Sequence, residues 1–235
     1  MTGVWHMVQD ASGYFPNRAS ASNQGRAWNS NSSDSDGIVG GARRISDGNK
    51  GGTGDNSVTA SNNDVFDVGS TLTFSVWLRY KQGQVPGWDR IVGRKNAYNG
   101  TDGWEISLSQ DKPSGIDIRG GAQSSTGRDD FFATPVNDGE WHYVTVVYED
   151  TSVTAYENGV VRHTGTIATG PIDNDRNLSF GNNSPRNETT FKGTLDEIRL
   201  CSGALSAARI RADYLTVTSD LLKAQEGFAT VLILQ

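Results

Sequence analysis

At 235 residues, with 28 glycines and a formal net charge of -6, the chain can bury a core without covalent staples. The acidic balance argues against non-specific attraction to nucleic acid or an anionic membrane, and no basic patch with interleaved aromatics occurs. A lone Cys201 excludes an internal disulfide, and no signal peptide, anchor or membrane span is visible.

The Met-Thr start runs straight into strand-like sequence, which fits a module cut from a longer protein. Residues 3–8 read as a first strand. From Gln9 to Asp36 the composition turns to Ser, Asn, Ala and Gly, a long loop with one short strand near Trp28. Gly37 to Ile45 reads as a strand, and 49–63 as a glycine-rich excursion with a β signal at 56–59. Loops this long in a compact domain are usually functional or disordered. Thr71 to Tyr80 alternates cleanly: Leu72, Phe74, Val76, Leu78 and Tyr80 share one face. Shorter strands follow at 88–94, 104–108 and 115–119.

Asn137-Asp138-Gly139 signals a turn into Trp141–Tyr148, a run rich in β-branched and aromatic residues, and a hairpin returns over Val153–Tyr156 to Asn158-Gly159. Trp141, Tyr143 and Val147 occupy one parity, Val144, Val146 and Tyr148 the other. A strand apolar on both faces belongs in the interior of a sheet with both surfaces covered. A weak strand near 160–163, a short one at Leu178–Phe180 and a strong one over 194–200 bring the count to at least ten strands, at the spacing of a two-sheet sandwich.

Ser206 is set as an N-cap, with Leu205 and Ile210 as a hydrophobic staple, for a turn or two of helix ending near Tyr214. Its expected role is to plug one open end of the sandwich. Residues 1–235 are expected to form a single sandwich domain, within which 216–235 supplies a closing edge strand or begins a truncated linker. Phe228–Leu234, apolar and β-branched, carries the strand reading.

Six stretches, in this order, carry a family likeness: Gly3-Val4-Trp5-His6-Met7, Thr71–Leu78, Asp138–Val144, Tyr156-Glu157-Asn158-Gly159, Phe191–Leu200 and Ala204-Leu205-Ser206. Together they resemble the laminin-G-like, concanavalin A-like lectin-glucanase jelly rolls, most closely the bacterial branch, over residues 3–215. The resemblance implies an all-β, two-sheet antiparallel jelly-roll sandwich. It also implies a non-catalytic recognition or adhesion module of a larger protein, extracellular, cell-surface or periplasmic, with a glycan or cell-surface ligand. A structural spacer without a dedicated ligand, and a polysaccharide lyase or glycoside hydrolase, remain the alternatives.

By the same resemblance, a structural Ca2+ is expected at Asp196, with Asp47 as a second ligand; calcium takes six to eight hard oxygens. Asp196 shares strand parity with Ile198 and Leu200, so it should point toward the core, where a lone charge needs compensation. Acceptance of hydrogen bonds from a loop backbone, or pairing with Arg43, is the competing reading. Glycan recognition needs an aromatic platform with polar neighbours. The candidates are Tyr98 with Asn96, Asn99 and Asp102, then Trp88 and Trp28, with Tyr14 and Phe15 also considered. Trp88 and Trp104 each have a competing core reading. Arg90, Arg94, Arg119 and Arg128 could meet an acidic polysaccharide, although single arginines are ordinarily just solvated. No catalytic residues are assigned. Asp196 and Glu197 are adjacent and should leave opposite faces, Glu105 stands alone, and Asp129-Asp130 reads as loop. Retaining glycosidases need two carboxylates about 5 Å apart. His142 sits within a core motif as a satisfied structural residue.

Overall fold

The computed structural model describes residues 1–20, 22–28, 32–45, 57–80, 87–95, 100–109, 115–121, 128–132, 136–182 and 190–218. The strands are β1 (Gly3–Trp5), β2 (Tyr14–Phe15), β3 (Gly25–Trp28), β4 (Ser32–Asp34), β5 (Ala42–Ile45) and β6 (Ser57–Ala60). There follow β7 (Thr71–Tyr80), β8 (Arg90–Gly93), β9 (Glu105–Leu108), β10 (Gly115–Arg119) and β11 (Arg128–Phe132). The last are β12 (Trp141–Glu149), β13 (Ser152–Glu157), β14 (Val160–Thr166), β15 (Leu178–Phe180) and β16 (Gly193–Ser202), then helix α1 (Ala207–Thr218).

They form two eight-stranded sheets. Sheet A runs β14-β13-β12-β7-β16-β5-β4, with β1 also on β16; sheet B runs β11-β10-β9-β8-β15-β6-β3-β2. Every strand pair is antiparallel. The expected all-β sandwich is therefore the one observed.

Alternation decides the core. Leu72, Phe74, Val76, Leu78 and Tyr80 of β7 all enter it, as do Val144, Val146 and Tyr148 of β12, against Ile106, Leu108, Ile116 and Ile118 of sheet B. Trp5, fully buried, packs on Phe66 and Phe180. Tyr148 spans the sandwich, its hydroxyl 3.3 Å from the carbonyls of Glu105 and Arg119.

The other face of β12 is covered too. Tyr143 and Val147 join Trp77, Tyr156 and Ile210 in a second cluster, with Trp141, Leu205 and Tyr214 against it. Trp77 and Tyr143 lie under the Tyr214 ring at centroid distances of 5.6 and 6.3 Å. Helix α1 thus lies on the outer surface of sheet A rather than plugging an end, and it continues to Thr218, beyond the expected stop. The cap and staple hold as read. Arg209 N donates to Ser206 Oγ (3.3 Å), and Leu205 and Ile210 pack in one cluster. Residues 219–235, including Phe228–Leu234, lie outside the described residues.

Three local expectations need correction. The strand expected from Gly37 begins only at Ala42, because the Ile38 and Val39 amides turn to bond Asp196 instead of a neighbouring strand. Asp129 and Asp130 lie in β11, not in a loop. The weak strand at 160–163 is a seven-residue edge strand.

His142, on β12, is held at both ring nitrogens, by Glu157 Oε1 (2.9 Å) and Asp138 Oδ1 (3.0 Å). Burial pulls its pKa down, but the two carboxylates outweigh that and raise it above 6.5. A raised folded pKa gives stabilisation that is complete below the unfolded value and is lost as pH rises through the folded one. Urea-denaturation stability should thus fall as pH rises above about 6.5, and the fall should shrink in His142→Gln; an unchanged profile would place the titration elsewhere. Removing the buried Ile210 side chain beneath α1 (Ile210→Ala) should cost about 2–4 kcal/mol in the same assay. A cost near zero would mean that the helix is not integral to the fold.

Candidate functional site

The face of sheet B turned away from the core carries charge. On β9, Ile106 and Leu108 point inward while Glu105 and Ser107 point outward; on β10, Ile116 and Ile118 point inward while Asp117 and Arg119 point outward. Register sets Glu105 opposite Arg119 and Ser107 opposite both Asp117 and Arg90.

The four charged groups interlock. Arg90 Nε donates to Glu105 Oε2 (3.1 Å), and Arg119 Nε lies 3.3 Å from Glu105 Oε1 and donates to Asp117 Oδ2 (2.7 Å). All four are buried. Burying ions is costly, and such pairs are weak contributors to stability compared with apolar packing. Beside them, fully buried Asp89 accepts from Tyr80 Oη and from Lys192 Nζ (2.8 and 2.9 Å).

Above this layer sits Trp88. It is half-buried, with φ +64°, a left-handed backbone that costs a side-chain-bearing residue roughly 1–2 kcal/mol. Its carbonyl accepts from Arg90 Nη1, and its ring lies over the Arg119 guanidinium, 5.4 Å from centroid to Cζ. Trp88 is thus partly exposed, with its indole against the Arg119 guanidinium. Strand β8 starts two residues later than expected because of this kink.

Of the other glycan candidates, Asp102 is partly exposed, and its carbonyl accepts from Lys95 Nζ (2.9 Å). Lys95 is fully buried, also bonded to Gly120 O (2.7 Å), and burial lowers its pKa to about 8. The charges of Glu105 and Asp102 act on Lys95 against that lowering, while that of Arg119 adds to it. Trp28 ends β3, opposite Ser57 of β6, with only its backbone described. Asn96, Tyr98 and Asn99 lie outside the described residues. Trp104 is core, packed between Phe74 and Tyr148, and Phe15 is buried beneath Arg43, while Tyr14 is exposed.

Arg90, Arg94 and Arg119 are not solvated singles. Arg94 is a structural clamp: its guanidinium donates to the carbonyls of Phe66 (2.6 Å), Asn174 (2.5 Å) and Arg176 (3.2 Å) and pairs with Asp67 (2.7 Å). Arg128 is described only as the backbone position opposite Arg119. Glu105 and Asp117 both face guanidinium groups and are fully buried, which does not offer a proton to an incoming glycosidic bond. The complementary pattern Glu105-x-Ser107 against Asp117-x-Arg119 was the signal in the sequence that could have assembled this layer.

Asp196 does not point into the core. A bulge between Asp196 and Arg199, with Glu197 at φ +46°, reverses the parity, so Leu195 and Ile198 both face inward. Asp196 instead pairs in register with outward-facing Trp77 and takes three backbone amides: Ile38 (2.8 Å), Val39 (3.1 Å) and Glu197 (2.8 Å). Burial pushes its pKa up to about 6 despite those donors. A carboxylate ringed by N–H groups is the reverse of a calcium ligand, whose oxygens must face the ion. The described residues around Asp196 do not fit the metal; Asp47 lies outside them. Among the described residues no group of three or more His, Cys, Asp and Glu is placed to hold a metal ion. Asp196→Ala should cost about 3 kcal/mol by stranding buried amides, equally with and without EDTA. A loss that EDTA alone reproduces in the unsubstituted protein would restore calcium.

No curated protein matches the chain. Among solved structures, domain 4 of AbnA, a GH43 extracellular arabinanase from Geobacillus stearothermophilus, in complex with arabinotriose, is similar. It has 17% identity and a TM-score of 0.65 over 90% of this chain and 96% of that one. The binding domain of Paraclostridial Mosquitocidal Protein 1 aligns with 19% identity and a TM-score of 0.64, covering 91% of this chain and 52% of that one. The binding domain of Botulinum neurotoxin serotype G gives 12% identity and a TM-score of 0.67, covering 93% and 51%. The chain spans about half the length of these toxin domains, and at such identities the likeness is one of fold. The family model described as the concanavalin A-like lectin/glucanases superfamily matches residues 51–211, over two-thirds of the sequence. The chain belongs to the concanavalin A-like lectin/glucanases superfamily.

Proposed function

We propose that the chain is a non-catalytic recognition module, part of a larger extracellular or cell-surface protein, that binds carbohydrate on the outer face of sheet B through Trp88. The observation that carries this reading is the indole itself. It is partly exposed, held in an unfavourable left-handed backbone, and seated over the guanidinium of Arg119, part of the buried ion-pair layer. Strain of this kind persists where the surroundings over-determine it, and it concentrates at ligand sites. A flat aromatic face offers the apolar side of a sugar ring a partner, and polar neighbours can meet its hydroxyls.

Arg90 and Arg119 act as positioning residues, the first through the Trp88 carbonyl and the second beneath its ring. Asp102 is the second proposed contact, with Asn96, Tyr98 and Asn99 on the short segment between Lys95 and Gly100. The arabinanase domain was captured with arabinotriose, and cell entry of botulinum neurotoxin type C depends on interaction with two ganglioside molecules. Both support carbohydrate as the ligand class.

Trp88→Gly separates ligand contact from packing. Glycine relieves the left-handed strain, offsetting the lost cation–π contact, so stability should stay within about 1 kcal/mol. Affinity for any saccharide that the unsubstituted protein captures on a broad glycan array should fall at least about tenfold. Unchanged binding with a large loss of stability would make Trp88 a packing residue, and no binding to any saccharide would leave the chain a spacer.

A further inference from the structure

We propose that Phe228–Leu234 of the same chain docks along β14 as a further strand of sheet A and seals that side of the sandwich. Among the described residues β14 is paired to β13 alone. β11, the end strand of sheet B, comes within 8 Å of it, Cα to Cα, but pairs only with β10. One row of β14 backbone N–H and C=O groups is therefore without a strand partner, and such a row templates the addition of another strand.

Soluble proteins blunt such edges with proline, charge, bulges or brevity. β14 is seven residues long and contains no proline, and its Arg162 turns back to Glu157 Oε2 (3.2 Å). A bulge at Arg162 breaks the register, and on its turn side stand Val160 and Val161, 45% and 46% exposed. The two valines serve different faces. Val161 is opposite Tyr156, a member of the cluster under α1, and Val160 is opposite Glu157, whose other neighbour Val144 lies in the core. The edge thus offers an apolar side chain on each face of the sheet.

The chain itself supplies a partner just beyond α1. Arg211 Nη1 donates to the Asn158 carbonyl (2.9 Å), and a Cβ on Gly159 would stand 3.1 Å from Arg211 Cα and 3.2 Å from Tyr214 Cβ. The helix therefore runs against the β13–β14 turn, and it ends at Thr218, about one turn past Tyr214. Nine residues, 219–227, separate it from Phe228. Extended, they reach about 30 Å, more than the roughly 23 Å that seven residues of strand occupy, so the run can lie along β14 in either direction. Phe228–Leu234 matches β14 in length and contains no charge, proline or glycine. Both of its parities are apolar: Phe228, Leu232 and Leu234 beside Thr230 on one, Ala229, Val231 and Ile233 on the other. That pattern suits a strand with both faces against protein, as the edge with its two valines provides. Left unpaired in water, it is a nucleus for aggregation.

Hydrogen exchange on the full chain tests this directly. Amides within 228–234 should exchange at least about tenfold more slowly than unstructured peptide, and Ile233→Asp should speed exchange both there and in β14 at least about tenfold. In a Cys201→Ser background, Val161→Cys should form an intrachain disulfide with cysteines placed at tail positions of one parity, and Val160→Cys with those of the other. Directly opposed strand residues lie about 4.5–5.5 Å apart at Cα, within disulfide reach. Exchange of 228–234 at unstructured rates overturns the inference, whether or not the cysteine variants fold. Disulfides formed without regard to parity overturn it, as does a protected tail whose Ile233→Asp variant leaves β14 exchange unchanged. Disulfides between chains in a mixture of two mass-labelled forms overturn it as well, and assign the β14 edge to a second copy.

Discussion

Strand β12 can exist in this form only because both of its faces are dry. Val144, Val146 and Tyr148 fill the space between the sheets, and Tyr143 and Val147 sit beneath α1. Nine consecutive register pairs tie it to β7, whose Trp77 belongs to the same outer cluster. Were α1 absent, Trp77, Tyr143 and Val147 would form a contiguous apolar patch on sheet A, the kind of surface that soluble domains avoid. The architecture is therefore three layers over β12, helix, sheet and sheet. The Tyr148 hydroxyl, bonded to carbonyls of sheet B, fixes the distance between the last two.

With sheet A closed on its outer side over β7 and β12, the outer surface of sheet B is the other broad face of the sandwich. The two faces are built by different means. Sheet A's outer cluster is aromatic and capped by the helix; sheet B's outer layer is small and polar, with Ser57, Thr59, Ser107 and Ser179 between the charged groups. Those short side chains are buried, as are Arg90 and Arg119, and the Arg119 guanidinium lies against the Trp88 ring. The contrast with Arg94 is instructive. Its guanidinium is consumed by three carbonyls that join the loops at 62–67 and 173–176 to the end of β8, and among the described residues no aromatic ring is recorded over it.

Most of this fold was legible, for simple reasons. Period-two alternation in β7 names its core face residue by residue, and the double-sided pattern of β12 announces a cover on each side. Ser206 with Leu205 and Ile210 fixes the start of α1. What failed to show was local geometry without a sequence marker. Glu197 takes a left-handed conformation where glycine would have advertised a bulge, so the parity of Asp196 was read the wrong way round. The outer charged layer was hidden because Arg90, Glu105, Asp117 and Arg119 are spread over three strands, and their meeting depends on register. The alternation at 115–119 contained half of that information; the pairing of β9 with β10 supplied the rest.

Two of the left-handed side-chain-bearing positions, Glu197 and Trp88, adjoin buried charge, and the difference between them bears on function. At Glu197 the strain is matched by structure. The bulge turns its carboxylate to His6 and to Arg199 (3.2 Å), and Arg199 lies 3.9 Å from Asp213 of α1, so one kink ties β1, β16 and the helix together. His6 gains from this, its pKa raised above 6.5 chiefly by the bond to Glu197. At Trp88 the same backbone conformation places a large ring, partly exposed, over the Arg119 guanidinium, which is itself paired with Asp117. A partly exposed ring held at a conformational cost over interlocked charges is the observation on which the proposed binding role of Trp88 rests.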